Sequence, residues 1–366
     1  MRTNLAETLL TRIMEWSPDE VRKELPLLQA LSNFKYDEYQ QFSPGMRFVE
    51  SLVKWLTQFK SLSEKNIAYN FIKTQIIFFS SEQISHLVTL TYAEKVEPLL
   101  MEKTALEIGI SRYKLKTITS SDSYLVNRRR VLYVGLSDGS KIDFFRRCSG
   151  INNEQVSSTY HISKGKADDM ISKLKQDINK DKFNTVFLID DFTASGISYF
   201  REEEGEPDGK MIKVLNSLFY NEDGLKNENS ISMLIKSDDV SVNILFYIAT
   251  SEALVHINNS INKWKNKMKC SAPISADAIQ VIEKSTTKLL SNNPKFITIL
   301  KDYFDPSIVD FHYEKGKHNI PYLGFNECAL PVILYHNTPN NSLPILWMQE
   351  DKSFTGLFPR VTRHKE

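Results

Sequence analysis

The chain has 366 residues, 41% of them apolar and 25% charged, the balance of an ordinary globular protein with more than one domain. Its net charge of +1 excludes a general attraction to nucleic acid or to an anionic membrane. Three widely separated cysteines, Cys148, Cys270 and Cys328, match no metal spacing and, being odd in number, exclude a closed disulfide framework, which points to a reducing cytoplasm.

The opening MRTNLAETLLTRIMEW lacks the apolar run of a signal peptide, and no stretch reaches the ~18 uninterrupted apolar residues of a membrane span. A cytoplasmic protein without membrane contact is expected. Residues 1–118 form an expected all-helical N-terminal region. Apolar residues recur at helical spacing in LAETLLTRIMEW, MRFVESLVKWLTQF and EKNIAYNFIKTQIIFF. Helix starts are marked at Ser17-Pro18-Asp19-Glu20, at SLSE from Ser61 and at SSEQ from Ser80. No chemistry is evident here, and the aromatic residues read as core or interface packing.

The pattern changes near residue 119. RVLYVGL is a short β-branched run ending in SDGS, and IDFFRR after it has helical character. QVSSTYHI reads as a strand and KADDMISKLKQDI as an amphipathic helix. VFLIDD is a continuous apolar strand suited to the middle of a parallel sheet. EEEGEPDG reads as a solvated loop, GKMIKVLNSLFY as a helix, VNILFYIAT as a buried strand and SEALVHINNSINKW as a helix. This alternation predicts an α/β domain with a doubly wound, mainly parallel sheet over residues 119–265. Residues 266–366 read as a mixed C-terminal extension that completes or covers the site. It is helical around DAIQVIEKSTTKLL, and strand, polar turn, strand in YLGFNECALPVILYHNTPNNSLPILW.

The segment TVFLIDDFTASGISY carries the chemistry. In an open α/β sheet, ligands bind beyond the carboxyl ends of the strands. Asp190 and Asp191 fall at such an end, and burying a carboxylate costs several kcal/mol unless it is paired. Two together suit a metal or a set of ligand hydroxyls; capping of the next helix is the plain alternative. A nucleoside-triphosphatase would need an upstream G-x-x-x-x-G-K-[ST] loop. Gly135 to Lys141 is the nearest match, but its glycines are one residue too close and its Ser and Lys are in the wrong order.

The residues after the acids fit a phosphate-binding loop better. Thr193, Ala194, Ser195, Gly196, Ile197 and Ser198 lead into a helix or turn, with Gly196 letting the backbone approach an anion. Successive N–H groups and the hydroxyls of Ser195 and Ser198 suit a phosphate monoester. Asp190 and Asp191, about one sugar ring away, suit ribose hydroxyls. The unit is built for a ribose 5-phosphate.

LIDDFTASGIS resembles the signature of the type I phosphoribosyltransferases: apolar strand, two acids, two variable residues, a small residue, Thr or Ser, Gly, any residue, Thr or Ser. Every fixed position matches, with Ser195 where Thr is usual. The resemblance implies that Asp190 and Asp191 are the catalytic pair holding the ribose hydroxyls of phosphoribosyl pyrophosphate, with residues 194–198 on its 5-phosphate. It implies a pyrophosphate loop at Ser137, Asp138, Gly139, Ser140 and Lys141, aided by Arg146; a plain β-turn is the alternative for SDGS. It also implies Mg²⁺ bridging pyrophosphate and ribose, met by Asp190 and Asp191 only through the ligand.

The long helical front and C-terminal extension depart from housekeeping members, and no base-reading hood is evident. HNTPNN from His336, LPILW to Trp347 and LFPR to Arg360 resemble the phosphoribosyltransferase-like effectors of prokaryotic conflict systems, including anti-phage loci and retrons. That branch implies a toxin acting on phosphoribosyl pyrophosphate or a ribonucleotide, with other defence components as partners of the helical front. His336, Asn337 and Asn341 would then bind a base or acceptor; the plain reading of HNTPNN is a turn. Trp347 reads as packing or as a base platform. A catalytically inactive nucleotide-binding regulator and a partner-binding scaffold are the alternatives.

Overall fold

The computed structural model describes residues 3–203, 205–220, 230–286, 293–316, 319–349 and 351–360. The chain divides into two compact units: Met1–Ile84 with Lys284–Glu366, and Ser85–Glu283. Residues 85–118, grouped by sequence with the helical front, therefore share a unit with the sheet.

The first unit opens with α1 (Thr3–Ile13), α2 (Pro18–Phe34), α3 (Phe48–Thr57) and α4 (Leu62–Gln75). The first two of the three expected starts are capping boxes. Glu20 N–H donates to Ser17 Oγ (3.3 Å) while Ser17 N–H donates to Glu20 Oε2 (2.7 Å). Ser61 and Glu64 repeat this at 3.2 and 3.0 Å. The helical run does not reach Phe79 as expected. It stops at Gln75, and β1 (Ile77–Phe79) pairs in parallel with a strand near the C-terminus. A four-residue apolar run without polar interruption suits a buried strand better than one more helical turn. The SSEQ signal then opens α5 (Ser81–Thr91), Ser80 and Gln83 bonding reciprocally at 3.1 and 3.0 Å.

The second unit continues with α6 (Glu97–Glu107), α7 (Leu115–Thr119) and α8 (Asp122–Arg129). Then come β2 (Val131–Gly135), α9 (Ile142–Cys148), β3 (Val156–Ser157), α10 (Lys164–Ile178) and β4 (Thr185–Thr193). A small hairpin, β5 (Arg201–Glu203) and β6 (Glu206–Asp208), precedes α11 (Lys210–Phe219). β7 (Ser241–Thr250), α12 (Ser251–Met268) and β8 (Ile274–Ile282) complete the unit. The five long-sheet strands run in the order β3-β2-β4-β7-β8, every pair parallel. This is the expected α/β architecture. One sheet face (Leu132, Val134, Val186, Leu188, Ile244) packs on α10, α11 and α12 through Met170, Leu174, Leu215 and Ile257. On the other, Tyr133 packs against Phe145 of α9, ring centroids 5.3 Å apart.

Three expectations for this unit are corrected. QVSSTYHI yields only the two residues of β3. EEEGEPDG is largely the β5–β6 hairpin, its ends tied by Arg201, which bonds Asp208 and Glu203. DAIQVI, expected helical, lies in edge strand β8, whose burial alternates with Ala276, Ala278 and Ile282 inward. Pairing along the buried strand β7 overrides the weak strand propensity of Ala and Asp. The end of that expected helix, residues 287–290, lies outside the described residues.

The chain returns to the first unit with α13 (Pro294–Asp302), α14 (Phe311–Glu314), β9 (Val332–Leu334) and α15 (Pro344–Trp347). β9 is the partner of β1. The second strand expected in SLPILW is instead the short helix α15, with Pro344 at its first position, where a missing N–H costs nothing. Phe358 centres this core: Tyr36, Tyr39, Phe48 and Phe78 lie within 5.9 Å of its ring centroid. Truncating such a buried Phe to Ala costs about 3–5 kcal/mol.

Candidate functional site

The chain leaves β2 toward β3 on one side and returns to β4 on the other, so the winding reverses between β2 and β4. In an open α/β sheet such a reversal is where a ligand crevice forms, at the strand carboxyl ends. Both singled-out loops leave from it at the same height. Gly135 pairs with Ile189, and Leu136 N–H donates to Ile189 O at 2.9 Å. Residues 137–141 and Asp190 with Asp191 therefore meet.

Asp190 is the buried centre, its side chain 1% exposed. The Ser137 hydroxyl donates to its Oδ1, and Asp191 N–H does so at 3.1 Å. Its Oδ2 accepts from the Tyr199 hydroxyl and from Lys210 Nζ, each at 2.7 Å. Four donors match the roughly four lone-pair sites of a carboxylate. Burial, then the neighbouring charges of Asp190 and Asp191, hold the Tyr199 hydroxyl far above its ordinary range, so it stays a donor.

Asp191 is half-buried, its Oδ1 accepting Phe192 N–H at 2.9 Å. A Cβ on Gly139 would sit 2.3 Å from Asp191 Oδ2, so only glycine lets the loop lie against this carboxylate. Asp138 and Gly139 lead into buried Ser140, whose carbonyl accepts the buried Tyr247 hydroxyl from β7. Lys141 closes the loop in a left-handed conformation, φ 45° and ψ 36°. A non-glycine residue held there signals a backbone fixed by its surroundings. Arg146 lies in the last turn of α9, its Nε buried without a hydrogen-bond partner among the described residues.

Beyond the acids, residues 194–200 form turns rather than a helix. Thr250 holds this loop from below: its hydroxyl donates to Ala194 O and accepts Ala253 N–H (3.0 Å), capping α12. Gly196 has φ +74°, and a Cβ there would lie 2.9 Å from His256 and Ile257 of α12. Its smallness thus serves close contact with α12. Ser195 Oγ accepts Ile197 N–H at 3.3 Å, and Ser198 is exposed. The loop rests on the first turns of α12, whose dipole favours negative charge.

His336, Asn337 and Asn341 belong to the other unit. Asn341 is buried and donates to Phe325 O (3.1 Å) and Cys328 Sγ (3.3 Å), so its amide braces the turn. Asn337 Oδ1 accepts Thr338 N–H at 3.0 Å, and His336 O accepts from Gln41 at 2.6 Å. Trp347 is buried and donates to Ser342 O at 2.7 Å, which makes it packing. Sequence reading missed Tyr199, Lys210, Tyr247 and Thr250. The available signal for Lys210 was a lysine opening a helix, against its dipole.

Among the described residues, no group of three or more His, Cys, Asp or Glu side chains is placed to hold a metal ion. No curated protein and no solved structure matches the chain. A family model described as PRTase-CE matches residues 52–360, most of the length and all of the sheet. With its parallel sheet, its acid pair at the winding reversal and that match, the chain belongs to the PRTase-CE family of phosphoribosyltransferase-like effectors.

Proposed function

We propose that the crevice binds the ribose 5-phosphate unit of phosphoribosyl pyrophosphate or of a ribonucleotide, and exchanges the group on its anomeric carbon. The observation carrying this is the convergence of two loops on one acid pair: Ser137 bonds Asp190 and Gly139 lies against Asp191. Asp191 accepts a sugar hydroxyl, and residues 194–198 receive the 5-phosphate above α12. Residues 137–141, with Lys141, receive the pyrophosphate. Anomeric exchange passes through an oxocarbenium-like state, so the chain's task is to position the sugar and stabilise the leaving anion.

Mg²⁺ fits as an ion carried by the ligand. Lys210 already stands on Asp190 Oδ2, whereas Asp191 is half-buried with Gly139 against it. Bound in this way, Mg²⁺ would neutralise the departing pyrophosphate. The toxin role in anti-phage defence, and defence partners docking through the helical front, rest on the effector family and the sequence resemblance. The base or acceptor contacts of His336 and Asn337 rest on the resemblance alone.

Metabolite profiling of cells expressing the chain tests the activity. Phosphoribosyl pyrophosphate, free bases or nucleotides are expected to change, and to stay unchanged with Gly139→Ala, whose methyl group meets the Asp191 carboxylate. Identical pools in expressing and empty cells would sink the proposal. A second reading, a regulator that binds the ligand without transfer, draws on the saturation of Asp190 by internal donors. It is distinguished by calorimetric binding of phosphoribosyl pyrophosphate with Mg²⁺ and no turnover.

A further inference from the structure

Lys210 breaks local rules. It is the first residue of α11, where the helix dipole disfavours a cation. It follows Gly209 at φ +123°, where a Cβ would lie 2.3 Å from the Tyr199 carbonyl oxygen. Lys210 N–H then donates to Ser198 O (3.1 Å) and Met211 N–H to Tyr199 O (3.0 Å). The β5–β6 hairpin therefore leaves and re-enters at one point, returning a lysine to the end of the phosphate loop. The side chain is 32% exposed, and its Nζ lies 5.5 Å from the Tyr199 ring centroid and 2.7 Å from Asp190 Oδ2.

We propose that Lys210 is a positioning residue: a built-in cation that neutralises Asp190 in the place a divalent ion would otherwise take, leaving Asp191 to face the ligand. Ser137, Tyr199, Asp191 N–H and Lys210 together use every acceptor site of Asp190. A second cation on the same oxygen would meet the ammonium at close range and be repelled. An ion delivered with a phosphorylated ligand is thereby steered to Asp191. The two acids, alike in sequence, have different work: Asp190 joins the loops and Asp191 meets the ligand that binds between them.

Mn²⁺ alone is the probe, titrated into four purified full-length proteins and followed by electron paramagnetic resonance. They are wild type, Lys210→Met, Lys210→Arg, and Lys210→Met with Asp190→Asn. Lys210→Met is expected to bind Mn²⁺ about tenfold or more tightly than wild type, because a buried carboxylate has lost its cation. Lys210→Arg is expected to match wild type, and the double variant to lose the gained site. The thermal midpoint is expected to fall by roughly 5 °C in Lys210→Met and to recover in the double variant, which removes both charges. Equal Mn²⁺ affinity in folded wild type and Lys210→Met overturns the proposal. Should Lys210→Met fail to fold, a double variant that also fails overturns it. Only the steering toward Asp191 rests on the ribose-phosphate proposal, and no arm contains phosphoribosyl pyrophosphate. A wild type that ignores that compound, beside a Lys210→Met protein that gains Mn²⁺, refutes the ribose reading and leaves this one standing.

Discussion

The strand-end crevice of the second unit and the 336–342 turn of the first are both dense in polar residues, and the fold uses them in opposite ways. In the crevice, side chains from separate elements meet a buried charge: Ser137, Tyr199 and Lys210 all reach Asp190. In the turn, side chains serve backbone. Ser342 donates to Val332 O (2.6 Å), Thr338 to Phe358 O (3.0 Å) and Asn341 to Phe325 O (3.1 Å). Polar groups bonded to carbonyls hold a loop in shape, and such bonds contribute about 1 kcal/mol each. A buried carboxylate is costly in any fold, and Asp190, 1% exposed, is offset by donors drawn from separate elements.

The contrast can be broken by mutation. The largest effect is expected from Asp190→Asn, which leaves Lys210 without its counter-charge and offers an amide N–H₂ to donors. A loss of about 2–4 kcal/mol by urea unfolding is expected, discounted for the partly exposed lysine. Asp191→Asn is expected to change stability by less than about 0.5 kcal/mol while abolishing binding of phosphoribosyl pyrophosphate. Equal destabilisation by the two would erase the distinction between the acids. Next, Thr338→Val in the turn removes a fully buried hydroxyl that bonds Phe358 O and lies 3.0 Å from the Tyr39 hydroxyl. It is expected to cost about 1–2 kcal/mol and leave ligand binding untouched. The smallest effect is expected from His336→Ala, within about 0.5 kcal/mol in stability. Calorimetry with a ribonucleoside monophosphate checks its proposed base contact: a tenfold loss of affinity supports that contact, and unchanged affinity removes it.

Much of the site was legible because its parts are local. LIDDFTASGIS and SDGSK each lie on a continuous stretch at a strand end, where period and composition reveal the strand and the loop chemistry. The capping boxes at Ser17 and Ser61 were legible for the same reason, each being complete within four residues. Illegible features depended on distant partners. IFF became a strand only because Val332, Ile333 and Leu334 lie beside it. Alternation in ISADAIQVI gained meaning only along β7. The contact of Gly196 with His256 and Ile257 likewise appeared only once α12 lay beside the loop.

The sequence by itself determined the alternation of β2, α9, β4, α11, β7 and α12, the acid pair and the two loops that come after strands. These arise from side-chain periodicity and turn chemistry, both short-range. Only the tertiary structure decided that Asp190 is buried under four donors while Asp191 stays half-buried. Asp190 and Asp191 are chemically equal neighbours, and successive strand residues point to opposite faces. Lys210, twenty positions along the chain from Asp190, tells them apart once the hairpin folds back. Long-range closure of that kind leaves no periodic trace in the sequence.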